Sequence, residues 1–221
     1  MYLHIKRFFD FFSSLIVLII LSPLLLPIVL VLKFSAEGEV FYLQERVGYK
    51  KNFFSIMKFA TMLKNSENLG SGTITLRNDF RVTKPGKFLR KTKINELPQL
   101  INILLGDISV VGPRPLLKKS FESYPKHVQN KIYLSKPGLT GIGSIVFRDE
   151  EDILSSLNNA NPHEFYEKFI APYKGELELW YLKNKSFVID LKLILVTAWV
   201  IFFPKSKVYE KLFKDLPVRN F

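Results

Sequence analysis

Two short segments of the chain carry side chains that suit phosphate chemistry. Asn95 and Glu96 precede an apolar run, and Arg114 lies between two prolines in the motif GPRP. The prolines leave this arginine little freedom to lose on binding, which suits bidentate contact with a phosphate group. Each segment also has a purely structural interpretation, because Asn95 and Glu96 are typical of a helix cap with a first-turn acid, and GPRP is typical of a turn.

A cluster of carboxylates follows at Asp149, Glu150 and Glu151. It is consistent with the acidic first turn of a helix and equally with a surface that binds a divalent metal ion. The glycine-rich segment KPGLTGIG, residues 136–143, lacks the Gly-Lys-Ser/Thr ending of a nucleotide-binding P-loop. It therefore gives little support to nucleotide binding by itself.

Composition excludes several classes of protein. The 221 residues include no cysteine, which excludes a disulfide framework, a cysteine zinc site and a thiol nucleophile. The three histidines, His4, His127 and His163, lack metal-ligand spacing. A net charge of +12 favours anionic partners such as phosphates, nucleic acid or anionic lipid. Nucleic acid is disfavoured, since RNA-binding and zinc-finger signatures are absent and the chain begins with a long apolar segment.

That apolar segment extends from Phe8 to Phe34 and is long enough to cross a bilayer, which takes about 20 residues. Ser22-Pro23 and Pro27 lie in its middle, where each proline removes a helical donor. Positive residues flank both ends, so the positive-inside rule does not orient it. A re-entrant hairpin bent near Ser22 satisfies both observations, with the Ser22 hydroxyl as a candidate partner for the carbonyl of Ile19. The alternatives are a kinked single span and a cleaved signal peptide.

The rest of the chain predicts a small β element followed by helices. Residues 39–58 are typical of short strands with a turn at Gly48. Seven basic residues between Arg77 and Lys93 indicate a phosphate-binding surface or a plain solvated face. The clearest helix runs from a cap at Asn95 to Gly106, with its apolar face at five positions: Leu97, Leu100, Ile101, Leu104 and Leu105.

A second apolar stretch lies near the C-terminus, between Ser186 and Phe203. Only Leu193 to Phe203 is uninterrupted by charge, and eleven helical residues rise about 16 Å, too little to cross a core of about 30 Å. The stretch predicts an interfacial helix with Trp199 near the headgroups, or alternatively a buried core helix.

The chain resembles the monotopic polyprenyl-phosphate phosphoglycosyl transferases, bacterial sugar transferases that prime surface glycans. The resemblance runs from about residue 6 to residue 141 and again over residues 186–197, which resemble the family's C-terminal amphipathic helix. It rests on segments that occur in the family's order: KRFFD with LSP, FYLQERVG, MKFATM, FLRKTKINELPQL, GDISVVGPRP and KPGLTG. Many spaced motifs agree at once, which makes the resemblance specific.

This resemblance implies transfer of a sugar 1-phosphate from a UDP-sugar to undecaprenyl phosphate, with Mg²⁺ as cofactor and UMP as product. It places the protein on membrane lipid at the cytoplasmic face of the bacterial inner membrane, as the first step of exopolysaccharide or lipopolysaccharide biosynthesis. It also implies a re-entrant helix broken at Ser22 and Pro23.

The resemblance assigns the site residues as well. Glu96 corresponds to the glutamate of the family's Asp-Glu dyad and is expected to ligate Mg²⁺. The expected catalytic residues are Glu96, Asn95 and Arg90. The expected phosphate-binding residues are Lys58, Arg114 and Arg81. Further carboxylates that are candidates for the metal are Asp79, Asp149 and Glu150. Mg²⁺ and the basic residues are expected to neutralise the charge on the pyrophosphate and on the departing UMP, as phosphoryl transfer requires.

One departure from the family affects the mechanism. Asn95 stands where the family has its aspartate nucleophile, and a neutral amide does not readily form an acyl-phosphate. The preferred hypothesis is an active transferase in which Glu96, the cluster at 149–151 or the lipid phosphate itself supplies the nucleophile or base. A second hypothesis is an inactive member that binds UDP-sugar or lipid phosphate as a scaffold or regulator. A third, a peripheral membrane protein that shares only the anchor, conflicts with the intact Glu96, Arg90 and GPRP.

Together these observations predict an α+β fold that is mainly α. Residues 1–34 are expected to form the re-entrant membrane anchor, and residues 35–185 a helical catalytic domain with a small β element in the cytoplasm. Residues 186–221 are expected to form the interfacial amphipathic helix and tail.

Overall fold

Helices predominate, as predicted, in the computed structural model, which describes residues 2–35, 37–70, 75, 78–157 and 161–221. Arg77 of the basic run lies outside these residues. The helices are α1 (Tyr2–Phe34), α2 (Lys84–Lys91), α3 (Gln99–Leu105), α4 (Lys118–Glu122), α5 (Lys126–Gln129), α6 (Ile142–Val146), α7 (Glu150–Ser155), α8 (Pro162–Phe165), α9 (Ala171–Asn184), α10 (Phe187–Phe202) and α11 (Val208–Leu212). The strands are β1 (Phe41–Val47), β2 (Phe53–Phe59), β3 (Ser109–Val111) and β4 (Gly138–Thr140).

Strands β1 and β2 form the antiparallel hairpin that the sequence predicts, with its turn after Gly48. Tyr42 pairs with Lys58 across the hairpin. Because side chains alternate along a strand, Tyr42, Gln44 and Arg46 lie on one face of β1. Strands β3 and β4 pair in parallel, and the local sequence pattern did not predict this pairing.

Helix α1 continues through both prolines. It spans 33 residues, and the Ser22 hydroxyl donates to the Ile19 carbonyl at 2.8 Å. This is the predicted substitute for the donor that Pro23 lacks, and it explains how the helix tolerates the proline. The chain therefore does not divide into two helices at Ser22 and Pro23, whereas the expected bend at that point stays a prediction.

Both halves of α1 pack on the same globular body. Near one end Asp10 accepts a hydrogen bond from the Ser109 hydroxyl at 2.6 Å. Near the other end Leu32 is buried with Phe59 and Leu89. A helix held at both ends lies along the body instead of projecting from it. The re-entrant position, with both ends on one side of the membrane, stays a prediction.

Most of the apolar surface of α1 remains uncovered. The helix is long and apolar enough to cross a membrane, yet only 6% of its most apolar window is buried. Helix α10 adjoins it, since the rings of Phe9 and Phe187 lie 5.0 Å apart. We call the exposed side chains of these two helices the apolar face; it includes Ile16, Ile20, Leu26 and Leu30 from α1 and Val188, Leu191, Leu195 and Phe202 from α10.

Helix α10 combines the two alternatives that the sequence left open. One side of the helix, with Leu193, Val196 and Val200, is buried in the main core against Leu177 and Tyr181 of α9. The other side belongs to the apolar face. Helix α1 ends at Phe34, and Ser186 caps the start of α10, whereas the predicted division into domains at these positions stays a prediction.

The segment around Asn95 folds differently from the prediction. Asn95 does not cap a helix; it lies in a 3₁₀ turn, Ile94–Glu96, and the α3 cap position is occupied by Pro98. Leu97 and Pro98 both have right-handed helical angles, so the 3₁₀ turn leads directly into α3. The predicted end is confirmed, since Gly106 takes the left-handed conformation at φ 91°. Leu105, assigned to the apolar face of this helix, is instead 72% exposed.

Candidate functional site

A cavity of about 990 Å³ opens between the β1–β2 hairpin, α2, the turn at residues 94–96 and the GPRP segment. It brings together most of the predicted site residues: Lys58, Asp79, Arg81, Arg90, Asn95, Glu96, Arg114 and Glu150. Asp149 does not line it, and Ser22 and Pro23 lie away from it on α1. The resemblance therefore selected residues that are distant in the sequence and adjacent in space.

Glu96 is the central carboxylate of the cavity. Its Oε1 accepts a hydrogen bond from Arg114 Nη2 at 3.3 Å, and its side chain is 16% exposed. Burial alone would raise the pKa of Glu96, but Arg114, Lys58 and Lys93 outweigh it and lower the pKa to about 2. Glu96 is therefore ionised at neutral pH and is a weak base.

Lys58 extends from β2 toward the same carboxylate. Burial lowers the pKa of its amine to about 7, and Arg46 and Arg114 act in the same direction, whereas Glu96 opposes them. At neutral pH the amine of Lys58 is therefore partly uncharged, and an anionic ligand would restore its positive charge.

Arg46 on β1 is a cationic residue that the predicted site omitted. Its Nη1 donates to the Pro115 carbonyl at 3.2 Å and its Nη2 to the Gln44 side chain, but its buried Nε–H has no partner among the described residues. Burial, followed by the nearby Arg114, lowers the pKa of its guanidinium to about 10. The available signal was the period-two pattern of polar residues in FYLQERVG, which places Arg46 on the same strand face as Tyr42.

Asn95 is 7% exposed, and its Oδ1 has no hydrogen-bond partner among the described residues. A buried carbonyl oxygen without a donor is costly, so a ligand that donates a hydrogen bond or supplies a cation would be favoured at this point.

Arg90 and the acidic cluster pair with each other and with α9. Arg90 Nη2 contacts Glu151 Oε1 at 2.7 Å at the cavity rim. Lys174 of α9, another residue that the sequence analysis missed, forms an ion pair with Glu150. Glu150 and Glu151 occupy the first turn of α7 after Asp149, so the helix-start interpretation of this cluster is confirmed.

Arg81 is engaged within the protein. Its Nε contacts Asp79 Oδ1 at 2.9 Å, and its Nη2 contacts Asp79 Oδ2 at 2.5 Å. Its Nη1 donates to the carbonyls of Ser66 and Leu69 at 2.8 and 2.9 Å. All three nitrogens therefore bind protein atoms, and Arg81 holds the loop at residues 66–69, which differs from the phosphate contact implied by the resemblance.

The carboxylates expected to hold a metal do not converge. Asp79 is bound to Arg81 and Glu150 to Lys174, and the described residues contain no group of three or more acidic, histidine or cysteine side chains placed to hold a metal ion. Among the oxygen atoms that line the cavity, those of Glu96 and the unpartnered Oδ1 of the adjacent Asn95 are available to a cation.

Glu178 supports the GPRP segment from behind. It is 1% exposed, and its Oε1 accepts the Arg114 backbone N–H at 3.4 Å. Burial raises the pKa of Glu178 to about 7, because the low-polarity interior disfavours its charged form. No local sequence pattern marked this residue.

Comparison with known proteins finds a family match and similar relatives. Residues 1–204 match the family described as bacterial sugar transferase. The chain is 37% identical over 206 residues to a UDP-glucose:undecaprenyl-phosphate glucose-1-phosphate transferase of Klebsiella pneumoniae, which covers 91% of this chain and 41% of the relative. It is 35% identical over 194 residues to the uncharacterized sugar transferase EpsL of Bacillus subtilis, with 88% and 85% covered.

A third relative differs in its sugar. The chain is 32% identical over 205 residues to a UDP-N-acetylgalactosamine-undecaprenyl-phosphate N-acetylgalactosaminephosphotransferase of Aeromonas hydrophila, which covers 90% of this chain and 44% of the relative. The chain thus spans less than half of the Klebsiella and Aeromonas proteins and most of the Bacillus protein.

Proposed function

The chain belongs to the bacterial sugar transferases, and we propose that it transfers a sugar 1-phosphate from a UDP-sugar to undecaprenyl phosphate with release of UMP. The proposed location is the cytoplasmic face of the bacterial inner membrane. The proposed role is the first step of a surface polysaccharide or glycoconjugate pathway.

The observation that carries this proposal is an excess of positive charge around one carboxylate. Four basic side chains interact electrostatically with Glu96: Arg46, Lys58, Lys93 and Arg114. Glu150 and Glu151 also interact with Arg114 and Lys93, but they do not balance the excess, because each pairs with a further cation, Lys174 and Arg90. Uncompensated charge in a poorly solvated cavity is unfavourable, and a ligand with several phosphate charges relieves it. A pyrophosphate and a lipid phosphate are such ligands.

The size and position of the cavity suit both substrates. Its volume of about 990 Å³ lies at the upper end of the range for small-molecule sites, which is roughly 300–1,000 Å³. Phe59 lines the cavity and also packs in the cluster that contains Leu32 of α1. The cavity therefore adjoins the C-terminal end of α1, along which a lipid-borne phosphate would enter.

The chemical step that fits these residues is direct attack by the lipid phosphate. An oxygen of undecaprenyl phosphate forms a bond to the sugar-bearing phosphorus, and the bond from that phosphorus to the bridging oxygen breaks, so that UMP leaves with the electron pair. The attacking phosphate is already an anion and needs no general base. This agrees with the low pKa of Glu96 and with the neutral amide at Asn95. Arg114, Arg46 and Lys58 orient the phosphates and neutralise the charge on the leaving UMP.

Mg²⁺ is part of the proposal as a cofactor. Glu96 and the unpartnered Asn95 Oδ1 would hold it, and substrate phosphates would supply further oxygens, since Mg²⁺ commonly takes only one or two protein carboxylates at such sites. When bound, it withdraws charge from the phosphate oxygens.

The second candidate is a member that binds UDP-sugar or polyprenyl phosphate without turnover. It is favoured by one observation, the neutral Asn95 at the position of the expected nucleophile.

UMP release separates these candidates. The purified protein in nanodiscs is supplied with undecaprenyl phosphate, Mg²⁺ and a panel of UDP-sugars, and Glu122→Gln, an exposed acid outside the cavity, serves as the matched control. We expect turnover by wild type and Glu122→Gln and its loss in Glu96→Ala. Turnover only in Asn95→Asp would show a disabled member.

The direct route has its own test. Labelled UMP is incubated with unlabelled UDP-sugar in the absence of lipid acceptor. A covalent sugar-phosphoryl enzyme would exchange the label into UDP-sugar, whereas direct attack gives no exchange. We expect none with wild type; exchange by wild type would establish a covalent intermediate instead, and its loss in Glu96→Gln would show that Glu96 is needed to form it.

A further inference from the structure

A second cavity, of about 490 Å³, lies at the C-terminal end of α9, and none of its lining residues belongs to the site described above. The segment at residues 131–134 and the end of α9 form its wall. Its lining consists of three lysines and three leucines: Lys131, Lys183, Lys185, Leu134, Leu179 and Leu182.

The lysines give this cavity an unbalanced positive charge. The cavity lining contains no acidic side chain, and the three lysines have no ion-pair partner within the part of the chain that the structure describes. The negative end of the α9 dipole favours a cation at Lys183, but it does not account for Lys131, which comes from a separate segment. Three ammonium groups around one opening suit an anion.

The leucines make the same cavity amphiphilic. Leu134 is 64% exposed, and Leu179 and Leu182 are half-buried in the same lining. A purely ionic ligand would gain nothing from these side chains. A ligand that joins an anionic group to a hydrocarbon chain would contact both parts.

The position of the cavity connects it to the apolar face. Lys185 directly precedes Ser186, which caps α10 by accepting the Ile189 N–H at 3.3 Å. Phe187 and Val188, the next residues, are 46% and 60% exposed. The three lysines of the second cavity therefore lie where a membrane around the apolar face would present its headgroups.

We propose that this second cavity binds an anionic phospholipid, with the three lysines around the phosphate of the headgroup and the leucines against the beginning of an acyl chain. The proposal rests on the proposed membrane position of α1 and α10 and does not depend on sugar-phosphate transfer. Its consequence is a lipid preference that is separate from the acceptor lipid of the reaction.

Native mass spectrometry of the detergent-purified full chain tests the proposal. The protein is titrated with an equimolar mixture of phosphatidylglycerol and phosphatidylcholine, and the ratio of the two bound lipids is measured. We expect wild type to retain phosphatidylglycerol preferentially. Each lysine near an anionic headgroup contributes about fivefold in affinity, so the triple variant Lys131→Gln, Lys183→Gln, Lys185→Gln should lower the ratio by at least about tenfold.

A matched variant controls for net charge. Lys84→Gln, Lys118→Gln and Lys168→Gln together remove the same charge from exposed positions outside both cavities, and this variant should keep the wild-type ratio. Leu134→Asn keeps all lysines and should weaken lipid retention without changing the response to salt. Thermal unfolding of each variant verifies that it is folded, and the single variant Lys131→Gln repeats the test with the smallest perturbation.

Three results would overturn the proposal: no preference in wild type, equal loss in the two triple variants, or displacement of the lipid by soluble glycerol phosphate at equal concentration. The last would indicate a site for free phosphate. UMP release measured on the same samples keeps the two proposals apart, because lipid preference without turnover refutes only the transferase reaction.

Discussion

Two acid–arginine pairs, one on either side of the same cavity, differ in how much of the arginine is committed. Arg81 is 1% exposed and binds Asp79 through two nitrogens, and its third nitrogen donates to two backbone carbonyls. Arg114 makes one contact to Glu96, at 3.3 Å, and its side chain is 35% exposed. An acid–arginine pair thus occurs once as a closed structural unit and once as an open one.

The two pairs show how a charge that is bonded within the protein differs from one that is available to a ligand. A guanidinium whose three nitrogens all bind protein atoms has its desolvation offset inside the protein and has little donor capacity for a ligand. The Glu96 region instead holds more cations than its carboxylate can balance. The availability of the charge, and not the residue type, therefore marks the proposed substrate site, and four experiments test this difference between the two pairs.

The largest effect is expected on stability at the closed pair. Arg81→Gln leaves the buried Asp79 carboxylate without its partner and releases the loop carbonyls, so the free energy of unfolding should fall by about 3–5 kcal/mol. Chemical denaturation in detergent measures it. Arg114→Gln is the matched variant at the open pair and should cost less than half as much; equal losses would remove the distinction.

The next effect is expected on activity at the open pair. Glu96→Gln keeps the shape of the side chain but removes the charge that organises the surrounding cations, so UMP release should fall on the order of 10²–10³-fold. Asp79→Asn should lower stability but reduce the specific activity of the folded fraction by less than about tenfold. If Asp79→Asn is as inactive as Glu96→Gln, then Asp79 belongs to the reaction, as the resemblance first implied.

A smaller effect is expected at Arg46, whose Nε–H lacks a partner in the cavity wall. Arg46→Gln should raise the KM for UDP-sugar by about tenfold, since a hydrogen bond to a charged group contributes about 1.5–3 kcal/mol. Arg46→Lys keeps the charge without the planar donors and should recover only part of the loss. An unchanged KM in both variants would show that Arg46 only supports the Pro115 carbonyl.

The smallest effect is a proton taken up on binding. The pKa of Lys58 is about 7 before binding, and phosphate should raise it again. UDP binding should therefore take up close to one proton at pH 8 and little at pH 6, where the amine is already charged. Calorimetry in buffers of different ionisation enthalpy measures this uptake, and Lys58→Met should abolish it; equal uptake in the variant would assign the proton to another group.

The lowered pKa of Lys58 also predicts how the free energy of unfolding changes with pH. The unfolded chain binds a proton on Lys58 up to its ordinary pKa of 10.5, whereas the folded chain releases it near 7. Between these values the unfolded state binds more protons, so the contribution of Lys58 to stability rises with pH across this window. Below pH 7 the full penalty of the buried charge is present. The contribution of Glu96 to stability changes only at acid pH. Its pKa is lowered from 4.5 to about 2, so this contribution is lost as the pH falls through that range.

Local sequence was sufficient wherever neighbours along the chain decide the structure. Apolar content predicted α1, alternation and Gly48 predicted the hairpin, and Gly106 predicted the end of α3. The hydrogen bond from Ser22 to the Ile19 carbonyl was predicted because Pro23 removes a donor at a known spacing. Each of these features depends on groups within a few residues of one another.

The motif resemblance also predicted which residues line the cavity, but it did not predict which of them are buried, paired or available to a ligand. It selected Glu96, Arg114 and Lys58, which the fold brings together. It treated Arg81 like Arg114, although one is closed and the other open, and it passed over Arg46. Whether a charge is desolvated, paired or available depends on every charged and polar group within a few ångströms.

From the sequence alone, α1, the β1–β2 hairpin, the end of α3 and the family could be predicted, since apolar content, alternation, capping and motif spacing are properties of neighbouring residues. Only the tertiary structure decided that Lys58 loses much of its affinity for a proton, that Asn95 keeps an unpartnered oxygen, and that Lys131 meets Lys183 and Lys185 at one cavity. The physical reason is that desolvation and Coulomb energies follow distance in space, and folding sets that distance independently of separation along the chain.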